Sequence, residues 1–137
     1  VSDTPNLNGD IAEAQVKLSL IQKDLQVFEP IRDSCRSDLV AEVGDELYRV
    51  QIKSGWYSEG KVKFNTRSVT DHDGNKYESD YVGDVDVFAV YCSEVDQVYW
   101  IPIEDTPSTK MALRVEEAKQ DDSRINWAED YLLDRKI

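Results

Sequence analysis

Apolar residues open the chain with a helical period. Ile11, Ala14, Leu18, Ile21 and Leu25 recur at steps of three and four, which predicts an amphipathic helix with one stripe turned to a core. Asp10-Ile11-Ala12-Glu13 has capping-box spacing and would start it, leaving polar residues 1–8 as a loose arm. Beyond the helix the period shortens. Val27-Phe28, closed off by Pro30, predicts a short first strand or its approach, and polar residues 31–37 a loop. Asp38–Val43 and Glu46–Ser54 read as a hairpin turned at Gly44-Asp45. Alternation then puts Leu47, Arg49, Gln51 and Lys53 on one face and Tyr48, Val50 and Ile52 on the other.

Gly55–Gly60 reads as a loop leading into Lys61–Arg67, a strand with Val62, Phe64 and Thr66 inward. His72-Asp73-Gly74-Asn75 is a turn, and Tyr77–Gly83 shows no clean period. Val85–Tyr91 is a nearly continuous apolar run that suits a fully buried strand. A turn at Glu94–Asp96 and a strand over Val98–Ile103 follow, with Lys110–Val115 as a short edge strand. Ile125, Ala128 and Leu132, with Trp127 and Tyr131 nearby, predict a last helix over Ile125–Leu133. The economical architecture is α/β, one domain over residues 1–137 built on a central mixed β-sheet.

Composition narrows the classes. The 137 residues, 40% hydrophobic, can bury an ordinary core. No apolar run has membrane-spanning length and no signal-peptide pattern opens the chain, so a soluble, cytoplasmic protein with no membrane partner is expected. Cys35 and Cys92 are too few for a disulfide framework and read as reduced, mostly buried thiols. The net charge of −12 disfavours nucleic acid as a partner, but the charge is segregated. Arg49, Lys53, Lys61, Lys63, Arg67 and Lys76 face only Glu59, Asp71 and Asp73 across residues 49–76. Residues 77–105 hold acids and no lysine or arginine. Such acidity also fits a salt-rich, halophilic cytoplasm that screens like charges.

The hairpin carries the candidate chemistry. Phosphodiester cleavage with a hard cation such as Mg²⁺ needs oxygen ligands, a group that orients water, and positive charge on the phosphate. Asp38 offers a carboxylate, Gln51 a side-chain carbonyl oxygen, Ile52 its backbone carbonyl and Lys53 an ammonium. Glu13 could approach the same cleft from the helix. Each has a plainer reading. Glu13 could complete a cap, Asp38 could be a loop acid, Gln51 an ordinary strand residue, and Lys53 an edge charge that discourages aggregation. His72 beside Asp-Gly reads as a turn residue, and neither Cys35 nor Ser54 has a histidine to make a triad.

The ordered set Gly9-Asp10-Ile11-Ala12-Glu13-Ala14, Asp38-Leu39-Val40 and Arg49-Val50-Gln51-Ile52-Lys53-Ser54 resembles the PD-(D/E)XK nuclease superfamily. More narrowly, it resembles small endonucleases associated with group I introns and their archaeal, Holliday-junction-resolvase-like relatives. Asp84–Tyr91, Val98–Ile103 and Asn126–Tyr131 extend the resemblance over nearly the whole chain. It implies a restriction-endonuclease-like core, a central mixed β-sheet flanked by helices, and Mg²⁺-dependent hydrolysis of DNA, with Mn²⁺ as a substitute. Asp38 matches the metal-binding aspartate, Lys53 the catalytic lysine and Glu13 the helix acid of several branches. Gln51 stands where the pattern carries Asp or Glu. It removes one negative charge, which Glu13 could restore. Lys61, Lys63 and Arg67 would contact the DNA backbone, and a homo-oligomer, dimer or tetramer, is expected. Homing-type and junction-resolving cleavage both stay open, as does a catalytically silent nuclease fold used for DNA binding or protein interaction.

Overall fold

The computed structural model describes residues 5–117 and 125–137; the first four residues of the expected arm lie outside them. Helix α1, Pro5–Gln22, starts well before the capping-box sequence. Proline suits a first helical turn because its φ is already fixed there and its missing N–H has no intrahelical partner to lose. The end of the expected arm is therefore helical, and Asp10 and Glu13 lie inside the helix rather than at its cap.

α1 carries two apolar stripes, and the one expected to face the core does not. Ala12, Val16 and Leu20 are buried, whereas Ile11, Leu18 and Ile21 are 38%, 49% and 62% exposed, and Ala14 is exposed as well. Of the expected stripe only Leu25, beyond the helix, packs against the core. The buried stripe, with Ala12 and Val16 among its members, packs on a sheet surface that includes the small side chains Ala41 and Ala89, on which the bulkier stripe would hold the helix further off.

Five strands form the main sheet: β1 (Gln26–Phe28), β2 (Leu39–Val43), β3 (Glu46–Ser54), β8 (Val87–Cys92) and β9 (Gln97–Pro102), in the order β1-β2-β3-β8-β9. The β3–β8 pair is parallel and the other pairs are antiparallel, which makes the sheet mixed as expected. The β2–β3 hairpin has the expected limits, with Val43 opposite Glu46 across Gly44-Asp45. Every residue of β8 is buried, as its apolar run predicted.

The chain between β3 and β8 is more ordered than its glycines suggested. The expected loop at 55–60 contains β4 (Trp56–Ser58), which turns through Glu59-Gly60 into β5 (Lys61–Asn65). Both turn residues have positive φ, the geometry that suits the twist of a tight hairpin. With β10 (Lys110–Arg114) at its edge, this pair makes a second sheet, ordered β10-β5-β4. β6 (Arg67–His72) and β7 (Asn75–Asp80) form a separate two-stranded ribbon that turns at Asp73-Gly74.

Two cores result. Val16 and Leu20 of α1 cover Leu39, Val50, Ile52 and Trp100 on one face of the main sheet. Val62, Phe64, Met111 and Leu113 of the second sheet cover Phe88, Val90 and Ile101 on the other. The main sheet is thus flanked by one long helix and a small sheet. The expected helix over Ile125–Leu133 is also replaced. Trp127 bridges to Arg114, Ala128–Tyr131 is a 3₁₀ turn, Leu132 bridges to Tyr99, and α2 is the single turn Leu133–Lys136. Ala128 enters the second core and Leu133 the first, so this segment wraps the edge of the main sheet, which a continuous helix could not do. Cys92 is buried as expected but Cys35 is exposed, because it lies in the open loop before β2. None of the described helices is long and apolar enough to cross a membrane.

Gly55 lies where the two sheets approach closely. Its N–H donates to the Tyr91 carbonyl at 2.9 Å, and a Cβ there would lie 3.0 Å from a methyl of Val90, 3.1 Å from one of Val62 and 3.3 Å from the Lys63 carbonyl. Gly55→Ala is expected to cost about 1–3 kcal/mol in urea denaturation, as overpacking does. An unchanged midpoint would show that the two sheets can separate freely.

Candidate functional site

The site grows from the end of the β2–β3 ladder. The last regular pair is Leu39 with Val50. One residue out, the Asp38 N–H donates to the Val50 carbonyl at 2.8 Å, and the Ile52 N–H donates to the Asp38 carboxylate, also at 2.8 Å. The side chain thus supplies the next rung and fixes the carboxylate at the strand terminus. Strand carbonyls alternate in direction, so the Ile52 carbonyl faces the same side as that of Val50, where β2 has run out.

Charge converges on this carboxylate from both faces of the sheet. Burial pushes the Asp38 carboxyl above its ordinary value of 3.8, and the negative charge of Glu13 on α1 adds to the rise. The Ile52 N–H, Lys17 and Lys53 act in the opposite sense without cancelling it. Glu13, Asp38 and Lys53 are therefore electrostatic neighbours. Gln51 follows the last β2–β3 rung and is half-buried.

Lys53 and Gln51 project from the face opposite α1, beside Phe88 and Val90 of β8. The Lys53 ammonium donates to the Tyr81 hydroxyl at 3.3 Å and to the Arg67 carbonyl at 3.5 Å, and lies 4.7 Å from the centroid of the Tyr81 ring. The Arg36 guanidinium packs 4.2 Å from the same centroid. Arg36 also donates to the Asp80 carbonyl at 2.9 Å and to the Asp84 carboxylate at 3.3 Å. Sequence reasoning singled out neither Tyr81 nor Arg36. The one signal was a pair of tyrosines, Tyr77 and Tyr81, within the polar, aperiodic stretch 77–83.

The other basic residues fall in different places. Arg67 opens the ribbon at the site, and its backbone receives Lys53. Lys61 and Lys63 alternate with buried Val62 and Phe64 and so face outward from the second sheet, with Lys63 4.0 Å from Glu59. Arg49, on the same face of β3 as Lys53, is engaged by Asp86 through contacts of 3.1 and 3.2 Å. Those hydrogen bonds hold the Asp86 carboxyl below the usual carboxylate range. Grooves of about 380 and 450 Å³ lie elsewhere, one beside Tyr91 and Asp134 and the other beside Trp100 and Lys136.

The donor set suits a hard cation. Among the described residues no three His, Cys, Asp or Glu side chains gather, so Glu13 and Asp38 would be completed by the Ile52 carbonyl and the Gln51 amide oxygen. All four are oxygen donors, the type Mg²⁺ prefers. A carboxyl pushed toward its protonated form by burial and by a second acid is the kind of strain a cation relieves.

Comparison with known proteins places the chain in a family. The family model described as PD-(D/E)XK endonuclease matches residues 4–134. The fold is similar to that of a bacterial homing endonuclease, I-Ssp6803I, with a TM-score of 0.78 and 26% sequence identity over 94% of this chain and 88% of that one. The mixed sheet with few helices is thus a restriction-endonuclease-like fold. No curated protein matches the chain.

The raised Asp38 carboxyl makes a pH prediction for the metal-free protein. With its folded value above 3.8, its contribution to stability is fully present below the unfolded pKa and is lost as pH rises through the folded one. Asp38→Asn keeps an oxygen acceptor for Ile52 and should raise the thermal midpoint at pH 7 in EDTA. The gain should vanish below the ordinary carboxylate range, and a lowered midpoint at pH 7 would contradict the electrostatic account.

Proposed function

Because the chain belongs to the PD-(D/E)XK endonuclease family, we propose that it is a metal-dependent DNA endonuclease whose reaction centre lies at the end of the β2–β3 hairpin. The observation that carries this reading is the Ile52 N–H bond to Asp38, which sets a carboxylate beside the Gln51–Lys53 segment. The likeness to a homing endonuclease favours site-specific cleavage of duplex DNA over junction resolution. Such a substrate supports a cytoplasmic place of action.

Asp38 and Glu13 would hold Mg²⁺ together with the Gln51 amide oxygen and the Ile52 carbonyl, with Mn²⁺ as a substitute. The cation supplies Lewis acidity to the phosphate and to the attacking water. Lys53 places positive charge where negative charge grows on the phosphoryl oxygens. Arg36 and Arg67 add to a local basic cluster within an acidic chain, and Lys61 and Lys63 continue it along the second sheet toward the phosphate backbone. Binding should therefore weaken with salt unless the overall acidity reflects a salt-rich cytoplasm. The alternative, a catalytically silent module, draws on Gln51, whose neutral side chain leaves the site one carboxylate short.

The outer stripe of α1 supports a homo-oligomer. Ile11, Ala14, Leu18 and Ile21 are exposed along one line, and such a stripe can pack on its own copy about a two-fold axis. Light scattering is expected to give a dimer or a larger even assembly. Leu18→Glu combined with Ile21→Glu should reduce it to a monomer without unfolding. A monomeric wild-type protein would end this part of the reading.

Cleavage of linear duplex, supercoiled and four-way-junction DNA with Mg²⁺ or Mn²⁺, at low and at molar salt, tests the activity. Asp38→Ala and Lys53→Ala are expected to abolish cutting, and Gln51→Glu to retain or raise it. Full activity in Lys53→Ala would overturn the assigned roles. No cutting by the wild-type protein or by Gln51→Glu would favour the silent module.

A further inference from the structure

A lysine ammonium sits on four rotatable bonds and needs partners to hold it at one place. A carboxylate is the common partner, yet the residue two positions before Lys53 is the neutral Gln51. Among the described side chains no carboxylate forms an ion pair with Lys53 within 4.0 Å. Its partners are instead uncharged: the Tyr81 hydroxyl, the Tyr81 ring and the Arg67 carbonyl.

Tyr81 is unusually well fixed for a residue outside a strand. Its carbonyl accepts the N–H groups of Asp84 and Val85 at 3.0 and 3.1 Å. The residue is 5% exposed, and its ring meets Phe88 edge-on, with centroids 5.4 Å apart. Arg36 packs on the same ring and ties it to Asp80 and Asp84. The hydroxyl that receives Lys53 therefore stands on a rigid support joined to the second core.

We propose that Tyr81 is the positioning residue of Lys53, orienting the ammonium through neutral contacts that leave its charge for a substrate phosphate. The catalytic consequence rests on the nuclease reading; the positioning itself does not. An aromatic face attracts a cation through its quadrupole and a hydroxyl oxygen accepts a hydrogen bond from it, but neither cancels its charge as a carboxylate would. Tyr81 thus supplies the orientation that an acid at position 51 would otherwise help to provide.

The test compares wild type, Tyr81→Phe and Lys53→Ala, the last serving to assign the Lys53 signal. In protein labelled with ¹³C-lysine, relaxation of the Lys53 Cε should report an ordered methylene in wild type and a mobile one in Tyr81→Phe. The thermal midpoint should be retained, because phenylalanine keeps the packing on Phe88. Single-turnover cleavage at saturating DNA should slow by about tenfold, the scale of losing one hydrogen bond to a charged group. The Kd for DNA should stay within about twofold, as expected when an interaction matters in the chemical step rather than in binding. A mobile Lys53 Cε in wild type, or equal order in Tyr81→Phe, overturns the positioning role whatever the variants do to folding. An undiminished cleavage rate in Tyr81→Phe overturns its catalytic consequence. Failure of the wild-type protein to cut any DNA would sink the nuclease reading alone, and the relaxation data would still decide whether Tyr81 holds Lys53.

Discussion

The Ile52 N–H bond to the Asp38 carboxylate ends one kind of structure and starts another. Up to Leu39 and Val50 the hairpin is a regular ladder in which backbone satisfies backbone. Beyond it β2 has no carbonyl to offer, and an unpaired N–H beside a buried core would be costly. A side-chain oxygen takes the place of that carbonyl. The cost is a carboxylate held partly out of water next to Glu13, with its pKa raised by that burial. Structural need and chemical potential therefore share one contact, and the geometry of Gln51, Ile52 and Lys53 is set relative to it.

β3 distributes chemistry by alternation. Val50 and Ile52 enter the core beneath α1, so Gln51 and Lys53 must emerge on the opposite face, where the second sheet and Tyr81 lie. Parallel pairing with β8 makes this placement rigid, because every residue of β8 is buried. The charge of Glu13 acts on the Asp38 carboxylate from the helix side and that of Lys53 from the other. The strand terminus is the place where the two faces of the sheet can meet.

The two stripes of α1 show how local pattern and packing can part. Both have helical spacing. The sheet accepts the one with the smaller profile, Ala12, Val16 and Leu20, and leaves the bulkier one, Ile11, Leu18 and Ile21, toward solvent. Exposed apolar surface of that kind ordinarily serves an interface.

Much of the fold and part of the site were legible in the sequence. The β2–β3 hairpin, the inward Val62, Phe64 and Thr66, the buried β8 and the edge strand β10 follow from period-two patterning and from turn residues, which depend on near neighbours along the chain. The same patterning put Gln51 and Lys53 on one face with Asp38 on the adjoining strand. Tertiary structure alone decided which stripe of α1 is buried, that residues 55–60 build a strand, and that the end of the chain wraps an edge instead of forming one helix. It also decided that Tyr81 meets Lys53 and that Arg36 packs on the same ring. Those outcomes depend on which surfaces are shallow enough to be covered and on contacts between residues distant in sequence, and no local period encodes either.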